Sequence, residues 1–308
     1  MAVSGSIPLV DRAASHSKRT AIIASDGTFS YRQLLEASAR VAAHLVGGAR
    51  DLKEARVGYM VPSSFAYAAT QWGIWRAGGI AVPLCERYPE PELAYVIDDA
   101  QVSTVVAHPQ FEPLLGPIAH QRHLRLVSTT ALLEAPPHGL RNRPAEAIGP
   151  TRRAMILYTS GTTGRPKGVV STHANITAQI TSLIEAWGWQ ADDNVLLVLP
   201  LHHIHGIINV LCCALWVGAT CQMMPKFEPS AVWGRISEGG LTLFMAVPTI
   251  YGRLIAAWET AAPQPQQAMS EGCRRMRLMV CGSAALPVDM LERWRSISGH
   301  TLLERYGM

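Results

Sequence analysis

Along the chain, short apolar runs alternate with longer amphipathic stretches. The runs "VGYMV" (57–61), "IAVPL" (80–84), "VSTVVAH" (102–108), "MILYT" (155–159), "VLLVL" (195–199), "LTLFMAV" (241–247), "RLMVC" (277–281) and "LLERY" (302–306) predict strands. Most are apolar at consecutive positions, as expected for strands covered on both faces, the habit of parallel sheets flanked by helices. Between them, "SYRQLLEASARVAAHLVGG" places Leu34, Val41 and Leu45 on one helical face. Ser30 with Gln33 three residues on forms a capping box, and Gly47 supplies the stop. Ser63 is the expected cap of a helix running through Trp75 to Gly78-Gly79, "PEPELAYVIDDA" predicts a helix opened by proline, and further helices start near His173, Pro229, Pro248 and Pro287. Two polar stretches break the rhythm. "EAPPHGLRNRPAEAIGP" (134–150) predicts a linker between a first α/β subdomain (1–133) and a second (151–308), and "ETAAPQPQQAMSEG" (259–272) predicts a surface loop.

Composition narrows the class. At 308 residues, 48% hydrophobic and 16% charged, the chain is globular and too apolar for disorder. The net charge of +4 is mild, and the densest basic run, "RRMR" (274–277), is too short for a nucleic-acid stripe. Cys85, Cys212, Cys213, Cys221, Cys273 and Cys281 form no C-x-x-C pair and mostly sit in apolar runs, the pattern of buried free thiols in a reducing compartment. From Asn194 to Pro225 no Asp, Glu, Lys or Arg occurs, a length that could cross a bilayer. Pro200, three histidines, Asn209, Gly218 and Gln222 interrupt it, so the expectation is a strand, a loop, a buried helix stopped by Gly218 and another strand, with no transmembrane segment. The first twenty residues lack the apolar core of a secretory signal and, with Asp11 and few Arg, make a poor transit segment. His202, His203 and His205 have no Cys or carboxylate cluster beside them, so no zinc site is expected. Asp98-Asp99 and Asp192-Asp193 are expected to be solvated.

The densest chemistry lies in "YTSGTTGRPKGVVSTH" (158–173). Thr159, Ser160, Thr162 and Thr163 supply hydroxyls, Gly161 and Gly164 free the backbone to aim successive N–H groups into one concavity, and Lys167 adds a point charge. This is a grip for polyphosphate. It is not a P-loop, because G-x-x-x-x-G-K-[ST] begun at Gly161 would need glycine where Pro166 stands, and no G-x-G-x-x-G occurs.

The stretch "YTSGTTGRPKG" resembles the signature phosphate loop of the adenylate-forming superfamily, and four more segments resemble that family in order: "LPLHHIHG", "AVPTIY", "GSAALP" and "ERYGM". The resemblance implies the layered αβαβα large N-terminal domain of that fold, with mostly parallel sheets and helices on both faces. It also implies an acid–thiol ligase that uses ATP, Mg²⁺ and coenzyme A. A carboxylate would attack the α-phosphate, pyrophosphate would leave, and a thiol would then take the acyl group from the adenylate. On the same basis Thr159 to Lys167 would hold the departing phosphates. Gly282, Ser283 and Ala284 would lie along one side of adenine, with Glu304, Arg305, Tyr306 and Gly307 on the other. Lys167 and His203 are the implied catalytic residues, His203 as the histidine bordering the acyl pocket.

The same segments, with "LWVGAT" and "ISGHTLLERYGM", are similar to malonyl-CoA synthetases, a group with animal mitochondrial and plant members. A dicarboxylic acid needs its second carboxylate satisfied, and an Arg beside a His suits that task. His205 and Arg277 are the expected readers of the distal carboxylate. A ligase for another short or medium-chain acid is the alternative within the enzyme class. The resemblance implies a mitochondrial location, with the cytoplasm as the alternative. It covers about the first half of a family member, without the Thr-Glu after Met308 or the C-terminal lid domain with its Lys. The expectation is therefore a C-terminally truncated ligase with little activity of its own, or else a non-catalytic nucleotide-binding fragment.

Overall fold

The computed structural model describes residues 7–134, 147–159 and 165–306. Thirteen strands are seen among them: β1 Thr20–Ala24, β2 Gly27–Ser30, β3 Arg56–Met60, β4 Ile80–Pro83, β5 Val102–Ala107, β6 Arg125–Ser128, β7 Arg153–Thr159, β8 Lys167–Thr172, β9 Asn194–Leu197, β10 Thr220–Met223, β11 Leu243–Ala246, β12 Leu278–Gly282 and β13 Leu303–Arg305. They form a seven-stranded sheet, β13-β12-β11-β9-β10-β1-β2, and a six-stranded sheet, β6-β5-β3-β4-β7-β8. Only β1–β2 and β7–β8 pair antiparallel. The continuously apolar runs account for this: β4 and β11 are buried at every position.

The helix Phe65–Arg76 is buried almost all round and touches β1 of one sheet and β4 of the other. A helix without a solvent face belongs between two apolar layers. One large core cluster fills this central layer and continues to helices Pro229–Glu238 and Val288–Ser298 packed on the seven-stranded sheet, and a second lies on the far face of the six-stranded sheet under helices Glu90–Asp99 and Glu112–Gln121. Together these make the layered α/β architecture.

The capping box is present at Ser30, with Gln33 answering from the third helical position. The next cap is Ser64, not Ser63: its side chain accepts from the Tyr67 N–H. The stretch read as a surface loop at 259–272 is largely the helix Pro263–Arg274. Its prolines stand in the first turn, where a missing N–H leaves no bond unmade. Gly272 then lets the helix approach Pro229–Glu238 so closely that a Cβ would lie 2.3 Å from the Ile236 carbonyl oxygen.

The sheets do not follow the division at 134–150. β1 and β2 complete the sheet of the second half, through Ile22 opposite Cys221, while β7 and β8 complete that of the first. Trp75 Nε1 donates to the Ala154 carbonyl at 2.7 Å, binding the halves further. All six cysteines are buried free thiols. No helix among the described residues is long and apolar enough to cross a membrane.

Candidate functional site

Parallel strands present their carboxyl ends together, where the crevice of an open α/β sheet forms. Here β12 ends at Gly282 opposite Arg305 of β13. A Cβ on Gly282 would lie 3.0 Å from the Arg305 carbonyl oxygen and 3.4 Å from His205 Cε1, so the close approach of three segments requires glycine. Ser283 and Ala284 follow in an exposed turn, Glu304 and Arg305 run beside them, and Tyr306 is 89% exposed. The residues expected around adenine are thus brought together, except Gly307, which lies outside the described residues.

His205 opens a fully buried π-helical segment, His205–Cys212. It is 3% exposed, its Nδ1 lies 3.1 Å from Ser283 Oγ, and its Nε2 has no hydrogen-bond partner. Burial, with the nearby Arg305 charge, pushes its pKa down to about 4, so the ring is neutral at physiological pH.

At the loop expected to hold phosphate, Thr159 closes β7 and faces Lys167, the first residue of β8 and exposed. Ser160, Gly161, Thr162, Thr163 and Gly164 lie outside the described residues. The exit is anchored: Tyr95 Oη donates to the Pro166 carbonyl at 3.0 Å, and the Arg165 guanidinium lies 5.7 Å from the Tyr95 ring centre.

A cavity of about 760 Å³ opens where the carboxyl ends of the two sheets meet. Tyr59, Tyr67 and Arg87 line it from one side and His202, Lys226 and Arg253 from the other. The two phenols share a 2.7 Å hydrogen bond, and Tyr67 Oη donates to the Leu201 carbonyl at 2.7 Å. Burial raises both phenol pKa values, keeping them neutral. His202 lines this cavity, while His203, the expected border residue, is exposed beside it with ring centres 4.1 Å apart. The His202 pKa falls to about 3, from burial first and then from the His203 and Arg87 charges. Arg253 stacks on Phe227 at 4.8 Å and makes no ion pair among the described residues. Sequence reasoning missed it, although it is the second residue after "AVPTIY".

Arg277 does not reach this cavity. It precedes β12, and five residues at about 3.3 Å each put it roughly 16 Å from the strand's carboxyl end. There its Nε and Nη2 hold Asp193 at 2.8 and 2.5 Å, and Nη1 donates to the Trp187 carbonyl at 2.9 Å. Asp193 is 3% exposed, not solvated, and also accepts from the Gln190 N–H and Thr242 Oγ1. This is a structural pair clasping the amino end of β12.

Comparison with known proteins matches this geometry. The profile of the AMP-binding enzymes covers residues 9–308. The mitochondrial malonate–CoA ligase ACSF3 of Homo sapiens is 44% identical over 98% of this chain and 55% of its own length. The malonate–CoA ligase of Arabidopsis thaliana is 36% identical over 94% of this chain and 53% of its own. Among solved structures, ATP-bound MatB from Rhodopseudomonas palustris superposes with a TM-score of 0.85 at 29% identity, covering 98% of this chain and 60% of that one. The chain therefore spans about half the length of the curated relatives it matches, and the part it spans is the N-terminal domain of the adenylate-forming fold. The chain belongs to the AMP-binding enzyme family.

Proposed function

We propose that this chain carries the nucleotide- and acid-binding part of an ATP-dependent malonate–CoA ligase, which activates malonate as an acyl-adenylate and passes the acyl group to the thiol of coenzyme A. The observation that carries the choice of acid is Arg253, a cation on the cavity wall without a carboxylate partner. The neutral His205, with Nε2 unpartnered, is a second donor. The segment from Leu199 to His205 joins the two, its start lining the cavity and its end abutting Ser283. The names of the ACSF3 relatives and of the Arabidopsis protein support the same acid.

ATP would sit at the ends of β12 and β13, with its phosphates toward Thr159 and Lys167. Mg²⁺ would arrive with those phosphates. Among the described residues no group of three or more His, Cys, Asp or Glu could hold an ion. The mitochondrial names of the animal relatives support a mitochondrial location, which organelle fractionation would check.

The test is calorimetric binding of malonate and of butyrate with ATP present. Malonate is expected to bind more tightly. Arg253→Ala should weaken malonate tenfold to a hundredfold, about 1.5–3 kcal/mol for a charge-assisted contact, and leave butyrate unchanged. Equal binding of the two acids, or indifference to Arg253→Ala, would refute the distal-carboxylate reading and favour a monocarboxylic substrate. No ATP binding would refute the nucleotide reading.

A further inference from the structure

Three features meet at one contact. Ser283 has φ +69°, in the left-handed region where glycine is at ease and serine is strained. Its Oγ lies 3.1 Å from His205 Nδ1. The other ring nitrogen of His205, Nε2, is buried without a partner. Replacing serine by glycine would relieve the backbone, and the hydroxyl is all that serine adds at such a position.

A neutral imidazole carries one proton, and the bond at one nitrogen decides what the other can do. If Ser283 donates O–H to Nδ1, the proton stays on Nε2, which becomes a buried donor. If Nδ1–H donates to Oγ, Nε2 becomes an acceptor. A carboxylate is acceptor-only and can bind only the first form. The Nε2–H form is also the tautomer that neutral histidine prefers intrinsically.

We infer that Ser283 is a positioning residue: its hydroxyl donates to His205 Nδ1, fixes the Nε2–H tautomer, and so makes the buried Nε2 a donor reserved for an acceptor oxygen of the acid substrate. The inference uses the acid-binding reading above to say what the donor is for, but the tautomer exists in the ligand-free chain and is measured there. It also gives Ser283 a second duty, with its backbone along the expected adenine side and its side chain turned to His205.

The experiment is nitrogen NMR of the 308-residue chain labelled with ¹⁵N-histidine, with the His205 signals assigned by their loss in His205→Gln. In the wild type, His205 is expected wholly in the Nε2–H form. Ser283→Gly, which removes the hydroxyl and the strain together, should keep or raise the melting temperature. It should also shift His205 to a mixture of tautomers and weaken malonate, titrated with ATP present, at least fivefold. A purely structural Ser283 would not move the tautomer. A wild-type Nδ1–H signal, or an unchanged signal in Ser283→Gly, would overturn the inference. If wild-type His205 is Nε2–H and responds to Ser283→Gly, but malonate leaves its signals unmoved, then the acid-binding reading fails and the tautomer assignment stands.

Discussion

At the scale of single residues, Arg277, expected to read a carboxylate, is the ion-pair partner of Asp193, while Arg253, given no role from the sequence, stands on the cavity wall. Asp193 would be left as a buried, unpaired carboxylate in Arg277→Ala. That should destabilise the chain by about 2–3 kcal/mol, less than a fully buried pair because the Arg277 side chain is 34% exposed. Malonate binding, corrected for any unfolded fraction, should not change; urea unfolding followed by calorimetry checks both. The signal that separates them was present in the sequence. Arg277 comes before its strand, whereas ligand crevices open after strands end. The Arg253 position was less legible, because it depends on how the helix Pro248–Glu259 is rotated over the sheet. The His205–Ser283 contact joins positions 78 apart and depends on the path of the turn at 283, which no local pattern encodes.

At the scale of elements, most strands and helix starts were legible because each carries its own periodicity or cap. The hairpin β1–β2 was overlooked although "SDG" (25–27) is a turn signature between apolar runs. β8 is a different case. It is exposed at its first four positions, so "KGVVST" shows no buried alternation to find. The helix Pro263–Arg274 was hidden by its two prolines, and its docking depends on Gly272. In Gly272→Ala the new Cβ would strike the Ile236 carbonyl. The helix must then lift, at a cost of about 1–3 kcal/mol for an overpacked contact. Hydrogen exchange should show lost protection in 263–274 and 229–238, while β3–β5 keep theirs.

At the scale of the whole molecule, buried neutral histidines set the response to acid. His173 and His205 have pKa values near 4 and His202 near 3, all depressed chiefly by burial. The unfolded chain takes up these protons near pH 6.5, the folded chain only well below it. Their contribution is therefore complete above about pH 6.5 and is lost as pH falls toward 4, and the fully enclosed His173 supplies about 3 kcal/mol of it. The melting temperature should drop between pH 7 and 5, and His173→Gln should flatten that slope; calorimetric melts across pH check it.

The crossing of β1–β2 and β7–β8 between the two sheets also sets a clock. Ile22 leaves the ribosome about 200 residues before Cys221, its partner in the parallel ladder. At roughly 5–20 residues per second, the first hairpin must wait about 10–40 s for the strand that receives it. During that interval Ile22 and Phe29, which end packed in the core, have no sheet to join. Until β10 emerges the nascent hairpin therefore has only helices of the first half to cover it, as where Phe29 stacks on Phe65 with ring centres 3.9 Å apart.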